Sequence, residues 1–246
     1  MPLALALSPH LDDAAFSCGG TLAALASEGW DVVVATLFTA SVEAPTGFAL
    51  ACQTDKGMPP EADYMAIRRA EDAEACGRLG ARPVWLPFRE APHRGYGSAA
   101  ALFGPLRSDD AVHLDLAQAL ESLLAEHRPD LLLAPQAIGG HVDHVQAVRA
   151  VHLLRPAVPA LWWQDFPYLA KRRTHPARPF EGAMAALPGE ARPIPVEAKR
   201  HACAAYATQL GFQFGGPDGL AQALAEAGPQ EFFRRAGPAA GAAAAA

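Results

Sequence analysis

The chain has 246 residues, of which 51% are hydrophobic and 19% charged. That composition suits a folded domain with a sizeable core and excludes a disordered or fibrous chain. Twenty basic against 26 acidic side chains leave a net charge of −6, which argues against a nucleic-acid surface, and no apolar stretch approaches the roughly 18 residues of a membrane span.

The first predicted element is Leu3–Leu7, a continuous apolar run of the kind that forms a strand buried on both faces. Asp13–Ser27 reads as a helix stopped by Glu28-Gly29, and Val32–Phe38 as the next strand. Ser41–Pro60 carries Pro and Gly without a period and reads as a long loop. Glu61–Leu79 reads as a helix with Gly80 in the place a left-handed cap prefers. Val84–Leu86 is a third strand, and Ala91–Arg107 is an irregular segment punctuated by Gly, Pro and Ser. Val112, Leu116, Leu120, Leu123 and Leu124 recur at helical spacing. Leu131–Ala134 is a central strand and Pro135–Gly140 a loop. Val142, Val145, Val148, Val151 and Leu154 mark a further helix, and Leu161–Trp163 another strand. Val196–Tyr206 and Leu220–Ala227 look helical. Strands alternating with helices predict an α/β fold, a Rossmann-like three-layer sandwich around a mainly parallel sheet. One domain over 1–235 is expected, followed by a low-complexity Gly/Pro/Ala tail over 236–246.

Met1–Leu7 lacks a positive region and so does not read as a signal peptide. The four cysteines (Cys18, Cys52, Cys76, Cys203) show no C-x-x-C spacing and read as reduced thiols, so a cytoplasmic location is expected. No nucleic-acid or membrane partner is expected, and a homo-oligomer is left open.

Open parallel sheets bind ligands beyond the carboxyl ends of their strands. Two polar clusters fall there: Ser8-Pro9-His10-Leu11-Asp12-Asp13 after the first strand, and Gly139-Gly140-His141-Val142-Asp143-His144 after the central one. Together they offer three imidazoles and three carboxylates, a set that suits a borderline cation such as zinc. A leftover carboxylate can serve as a base, and a leftover imidazole as an acid or an oxyanion donor. Taken singly, Asp12 and Asp13 also fit the acidic N-terminus of a helix. Gly19-Gly20 lacks the G-x-G-x-x-G context of a dinucleotide site and reads as close packing. Arg68 either contacts a substrate or pairs with Glu71 on its own helix. His93 and Arg94 lie in a segment suited equally to a substrate-facing loop or a surface turn. Trp85, Trp162 and Trp163 read as core; His113, His127, His175 and His201 have no partner pattern.

The first cluster, followed by Ser17-Cys18-Gly19-Gly20, resembles the signature of the LmbE-like, PIG-L type metal-dependent de-N-acetylases. Gly140-His141-Val142-Asp143-His144 resembles their second motif. Ile67-Arg68-Arg69-Ala70-Glu71 with Leu79-Gly80, Asp165-Phe166-Pro167-Tyr168, and Lys199, Tyr206 and Gln209 are similar to further family segments, so the resemblance runs from about Leu3 to Phe214.

The resemblance implies that His10, Asp13 and His144 hold the metal, zinc with Fe2+ as the alternative ion. It implies Asp12 as general base, His141 as acid or oxyanion partner, and Asp143 as the group that orients or charge-tunes His141. The implied reaction is removal of an N-acetyl group from an amino sugar such as an N-acetylglucosamine conjugate, a small-molecule substrate met by Arg68, His93, Arg94 and Tyr168. Another metal amidase, or a non-catalytic sugar- or nucleotide-binding module, is the competing reading. The chain departs from the family pattern at Leu11, often Pro, at Ala14, often Glu, and at Ile138-Gly139-Gly140, where some sugar-thiol members carry a Tyr. Neither Leu11 nor Ala14 stands at a metal-ligand position, and Tyr168 is the candidate for the missing donor.

Overall fold

The computed structural model describes residues 1–166, 168–169 and 177–238; Pro167, His175 and the tail from 239 onward lie outside them. The chain builds β1 (Leu3–Ser8), α1 (Asp13–Ser27), β2 (Asp31–Thr36), α2 (Gly47–Thr54), α3 (Tyr64–Leu79) and β3 (Arg82–Trp85). A short 3-10 turn, Ala91–Arg94, leads to α4 (Ala99–Leu102), α5 (Val112–His127), β4 (Leu131–Pro135), α6 (Val142–Leu154) and β5 (Ala160–Trp163). Then come α7 (Glu181–Ala185), β6 (Gly189–Pro193), α8 (Val196–Cys203), α9 (Ala207–Phe214), α10 (Pro217–Ala227) and β7 (Gln230–Ala236).

The seven strands form one sheet in the order β3-β2-β1-β4-β5-β7-β6. β1 pairs in parallel with β2 and β4, β2 with β3, and β4 with β5; β7 is antiparallel to both β5 and β6. The expected mainly parallel α/β sandwich is what forms. Alternate strand residues feed two cores, as the two-residue pleat requires. Ala4, Ala6, Val32, Val34, Leu131, Leu133, Leu161 and Trp163 pack with α1, α3, α8, α9 and α10. Leu5, Leu7, Val33, Ala35, Leu132, Ala134, Ala160 and Trp162 pack with α5 and α6. That double burial is why the central strands read as unbroken apolar runs.

The differences from expectation have local causes. The stretch read as a loop over Ser41–Pro60 contains α2, a helix of only eight residues with a single buried residue, Gln53, too little for a periodic signal. α3 begins at Tyr64 rather than Glu61 because the Asp63 carboxylate accepts the Ala66 N–H at 2.9 Å and caps the helix there. Gly80 closes it in the left-handed conformation, as expected. The irregular segment after Ala91 contains the 3-10 turn and α4. Trp85 is not core: it is 37% exposed, and its indole N–H donates to Asp72 at 2.8 Å.

Candidate functional site

The chain leaves β1 towards β2 and β3 on one side of the sheet, and β4 leads to β5 on the other. The carboxyl ends of β1 and β4 are therefore the topological switch point, where an open α/β sheet offers a crevice. His10, Asp12 and Asp13 leave β1 into the start of α1. His141 caps the start of α6, and Asp143 and His144 follow in its first turn.

The two segments meet. The Asp13 Oδ2 atom lies 3.1 Å from Nδ1 of His10 and 3.0 Å from Nε2 of His144. Atoms that share one ion at about 2.0–2.2 Å stand roughly 3–3.5 Å apart, so these three atoms are spaced as co-ligands. Nε2 of His144 is buried and makes no well-aligned hydrogen bond among the described residues, Asp13 Oδ2 standing off its N–H direction at 3.0 Å, which suits a nitrogen aimed at a shared cation position. His10, His141 and His144 each offer a ligand atom within 4.8 Å of the others, so His141 also borders the position.

The outer nitrogens of both histidines face carboxylates. Nε2 of His10 lies 2.9 Å from Asp143 Oδ2, and Nδ1 of His144 lies 2.7 Å from Asp165 Oδ1. A carboxylate behind an imidazole fixes its tautomer and raises its basicity towards a metal. Asp165 is itself oriented by the N–H groups of Gln136 and Ile138, both donating at 3.0 Å. Asp165 stands just beyond the end of β5, at the same sheet edge as the two motifs.

The charge of Asp143 acts on His141 and raises its pKa against burial, as a tuning group would, while the carboxylate itself is bonded elsewhere. Its carboxylate meets His10, the Ala91 N–H at 3.0 Å and Arg94 Nη1 at 2.8 Å, not the His141 ring. It bonds to His141 only through its backbone, whose N–H donates to His141 Nδ1 at 3.2 Å. Arg94 is not a cleft residue: it bridges Asp143 and Asp110, and its guanidinium lies 4.9 Å from the Phe38 ring centre. His93 faces a small depression that adjoins the cleft of the site, sharing Cys52 and Glu90 with it.

A cleft of about 220 Å3 opens over the site, lined by His10, Asp12, Asp13 and His141 together with Arg68, Tyr168 and residues of α2, α4 and α9. Arg68 does not pair with Glu71. It donates to Glu90 at 2.6 Å and to the Leu11 carbonyl at 3.3 Å, and Nη2 stands 3.7 Å from Asp12. Glu71 instead accepts both the N–H and the hydroxyl of Thr208. The Tyr168 ring packs edge-on against His144, with centroids 5.5 Å apart. It fits there because Gly139, at φ +94°, has no Cβ: one would stand 2.8 Å from the Tyr168 ring.

Burial and the neighbouring Asp13 charge push the Asp12 carboxyl up to about 7, against the pull of Arg68. Burial opposes charge on His144, but Asp13 and Asp165 outweigh it and raise its pKa to about 9. Burial and the neighbouring His10 hold His141 well below its ordinary value. His141 is thus neutral, and because Nδ1 accepts from Asp143 its proton sits on Nε2.

Residues 5–154 match the family model PIG-L, described as GlcNAc-PI de-N-acetylase. The chain is 33% identical over 172 residues to a 2'-N-acetylparomamine deacetylase of Streptomyces fradiae, covering 68% of this chain and 58% of the relative. It is 34% identical over 153 residues to a 1D-myo-inositol 2-acetamido-2-deoxy-alpha-D-glucopyranoside deacetylase of Rhodococcus erythropolis, covering 58% and 49%. The matches thus span less than two thirds of these two relatives. The fold is similar to the solved structure of Dbv21, the A40926 pseudoaglycone deacetylase, with 30% identity, TM-score 0.79 and coverage of 97% and 98%. It is also similar to the zinc-inhibited form of the teicoplanin deacetylase Orf2, with 25% identity, TM-score 0.78 and coverage of 95% and 97%.

Proposed function

The chain belongs to the PIG-L family, and on that premise we propose that it hydrolyses the N-acetyl group of an amino-sugar conjugate with the help of one divalent cation. The observation that carries this reading is the convergence of His10 Nδ1, Asp13 Oδ2 and His144 Nε2, each imidazole backed by a carboxylate, in the cleft that Asp12 also lines.

His10, Asp13 and His144 would hold the ion. Two nitrogens and an oxygen suit zinc, with iron(II) as the alternative, since a mixed N/O site does not select by affinity alone. When bound, such an ion polarises an acyl carbonyl and acidifies a water molecule.

The protein's own groups supply the rest. Asp12, with its pKa lifted towards neutrality, is matched to removing a proton from the attacking water and returning it to the departing nitrogen. His141, neutral and protonated on Nε2, donates a hydrogen bond to the oxygen on which negative charge develops. Its depressed pKa makes it a poor proton carrier, so the proton is assigned to Asp12. Asp143 and Asp165 hold His10 and His144 in their ligating tautomers. Tyr168, whose phenol is kept well above its usual pKa by burial and the nearby acids, is a neutral group lining the cleft. The products are a free amine and acetate.

The test is metal analysis of the purified protein combined with acetate release from N-acetylglucosamine conjugates. One ion per chain with acetate release that stops on chelation supports the reading. A metal-free protein of equal activity ends it. Activity confined to simple aliphatic amides removes the sugar and leaves a metal amidase.

A further inference from the structure

We propose that Lys56 selects substrates carrying an anionic group, a carboxylate or a phosphate, next to the acylamino sugar. This rests on the de-N-acetylation reading above.

Lys56 follows α2 and lines the same cleft as His10, Asp12 and His141. Its ammonium is held in place on three sides. It donates to the Cys52 carbonyl at 2.8 Å and stands 5.5 Å from the ring centre of Tyr64 and 5.0 Å from that of Phe212. A lysine free in solvent must be ordered before it binds an anion, at a cost in rotamer freedom. Here the ordering is already built.

What the ammonium lacks is a counter-ion. Among the described residues no carboxylate forms an ion pair with it, and three acids of the cleft are engaged elsewhere. Glu90 takes Arg68 at 2.6 Å, Asp143 takes Arg94 at 2.8 Å, and Asp13 faces His10 and His144. Lys199 shows the contrasting case: buried under the sheet, it has its own partner, Glu231, at 2.7 Å. Burial and the nearby Arg68 push the Lys56 pKa down further than Glu90 and Asp12 raise it, so the ammonium keeps a net electrostatic cost that an arriving anion relieves.

The position fits a group remote from the reacting carbonyl. At about 220 Å3 the cleft is smaller than the roughly 300–1,000 Å3 pockets that enclose a whole drug-sized ligand. With the acylamino end at His10, Asp13 and His141, a neighbouring substituent meets the other lining residues, Phe48, Lys56 and Phe212 among them. A charge-assisted hydrogen bond there favours the anionic substrate by about 10-fold. Asp55 also lines the cleft, so a cationic acceptor held by Asp55 is the competing outcome.

The experiment measures kcat/KM for acetate release by the metal-loaded enzyme on four sugars. They are the methyl glycoside of N-acetylglucosamine, N-acetylglucosamine 1-phosphate, N-acetylmuramic acid, and an aminoalkyl glycoside of N-acetylglucosamine. The expected result is about 10-fold preference for one or both anionic substrates over the methyl glycoside, expressed mainly in KM. The phosphate and the carboxylate arms tell the two chemistries apart. The preference ratio should fall to near one in Lys56→Met and in Lys56→Gln, and persist in Lys56→Arg. No preference in the wild type, a ratio unchanged in both neutral variants, or a preference for the aminoalkyl glycoside that Asp55→Asn abolishes would overturn the proposal. If no sugar is turned over, the de-N-acetylation reading fails separately. Calorimetric titration of N-acetylglucosamine 1-phosphate and the methyl glycoside into wild type and Lys56→Met then decides the role of Lys56 alone, and equal dissociation constants count against it.

Discussion

Asp12 and Asp13 are chain neighbours with opposite electrostatic fates. The carboxyl of Asp13 faces two imidazoles and is held well below the usual range despite its burial; that of Asp12 feels Arg68 and His10 more weakly than its burial and Asp13, and rises to about 7. Adjacent acids with separated pKa values mark a division of labour between ligand and base. Asp12→Asn should therefore keep the metal, by elemental analysis, while kcat falls at least about 10²-fold. Loss of the metal in that variant would mean that the two roles are exchanged. The pH profile follows with its sign. A base with a raised pKa loses its active, ionised form as pH falls through that value, so kcat/KM should drop on the acid side, at or below about pH 7 once a bound cation adds its attraction. Arg68 pulls the same pKa down, so Arg68→Met should move the acid limb to higher pH. An unmoved limb would show that Arg68 serves the substrate and not the base.

At the scale of elements, legibility followed chemistry and periodicity. The two motifs were readable because each places His and Asp directly after an apolar strand, and the fold brings those strand ends together. Asp165 carried the same signal in weaker form, a lone acid after Ala160–Trp163, with nothing in the chain to show that it faces His144. The pairing of Arg94 with Asp143 is not legible, because a salt bridge between a loop and a helix start leaves no trace in spacing. The helix α9 and the strands β6 and β7 were not legible: β6 is polar and half-exposed, and β7 buries Glu231 with Phe233 while exposing Gln230 and Phe232, so its polar pattern does not mark its faces. Glu231 has a structural reason. α1 is broken at Cys18, where the backbone leaves helical geometry, and Glu231 accepts the freed N–H groups of Gly20 and Thr21 at 3.0 and 2.8 Å as well as the Lys199 ammonium. Gly20 is forced, since a Cβ there would stand 2.6 Å from Ile194. Glu231→Ala removes one partner of a buried pair and should cost about 3–5 kcal/mol in denaturant unfolding. Glu190→Ala, which breaks the more exposed pairs with Arg192 and Arg235, should cost about 0–1 kcal/mol. Equal costs would show that the break in α1 is not held by Glu231.

At the scale of the whole molecule, the candidate metal position joins segments that are far apart in the chain. His10 and Asp13 follow β1, His144 sits on α6 after β4, and Asp165 after β5 supports His144. An ion held by the first three ties the two halves of the sheet across the switch point, and it has no comparable site in the unfolded chain. Binding to the folded state alone stabilises it by about 2.7 kcal/mol when the free ion is at 100 times its dissociation constant. For a domain of 150–250 residues each kcal/mol is worth about 2–4 °C, so adding metal to chelator-treated protein should raise Tm by about 5–10 °C. His144→Ala removes one ligand and leaves Asp165 without its partner, so its Tm should no longer respond to metal. Thermal unfolding of both proteins with and without chelator checks this. A wild-type Tm indifferent to chelation would mean that the ligands do not converge on an ion. An equal response in His144→Ala would place the stabilising ion elsewhere in the molecule.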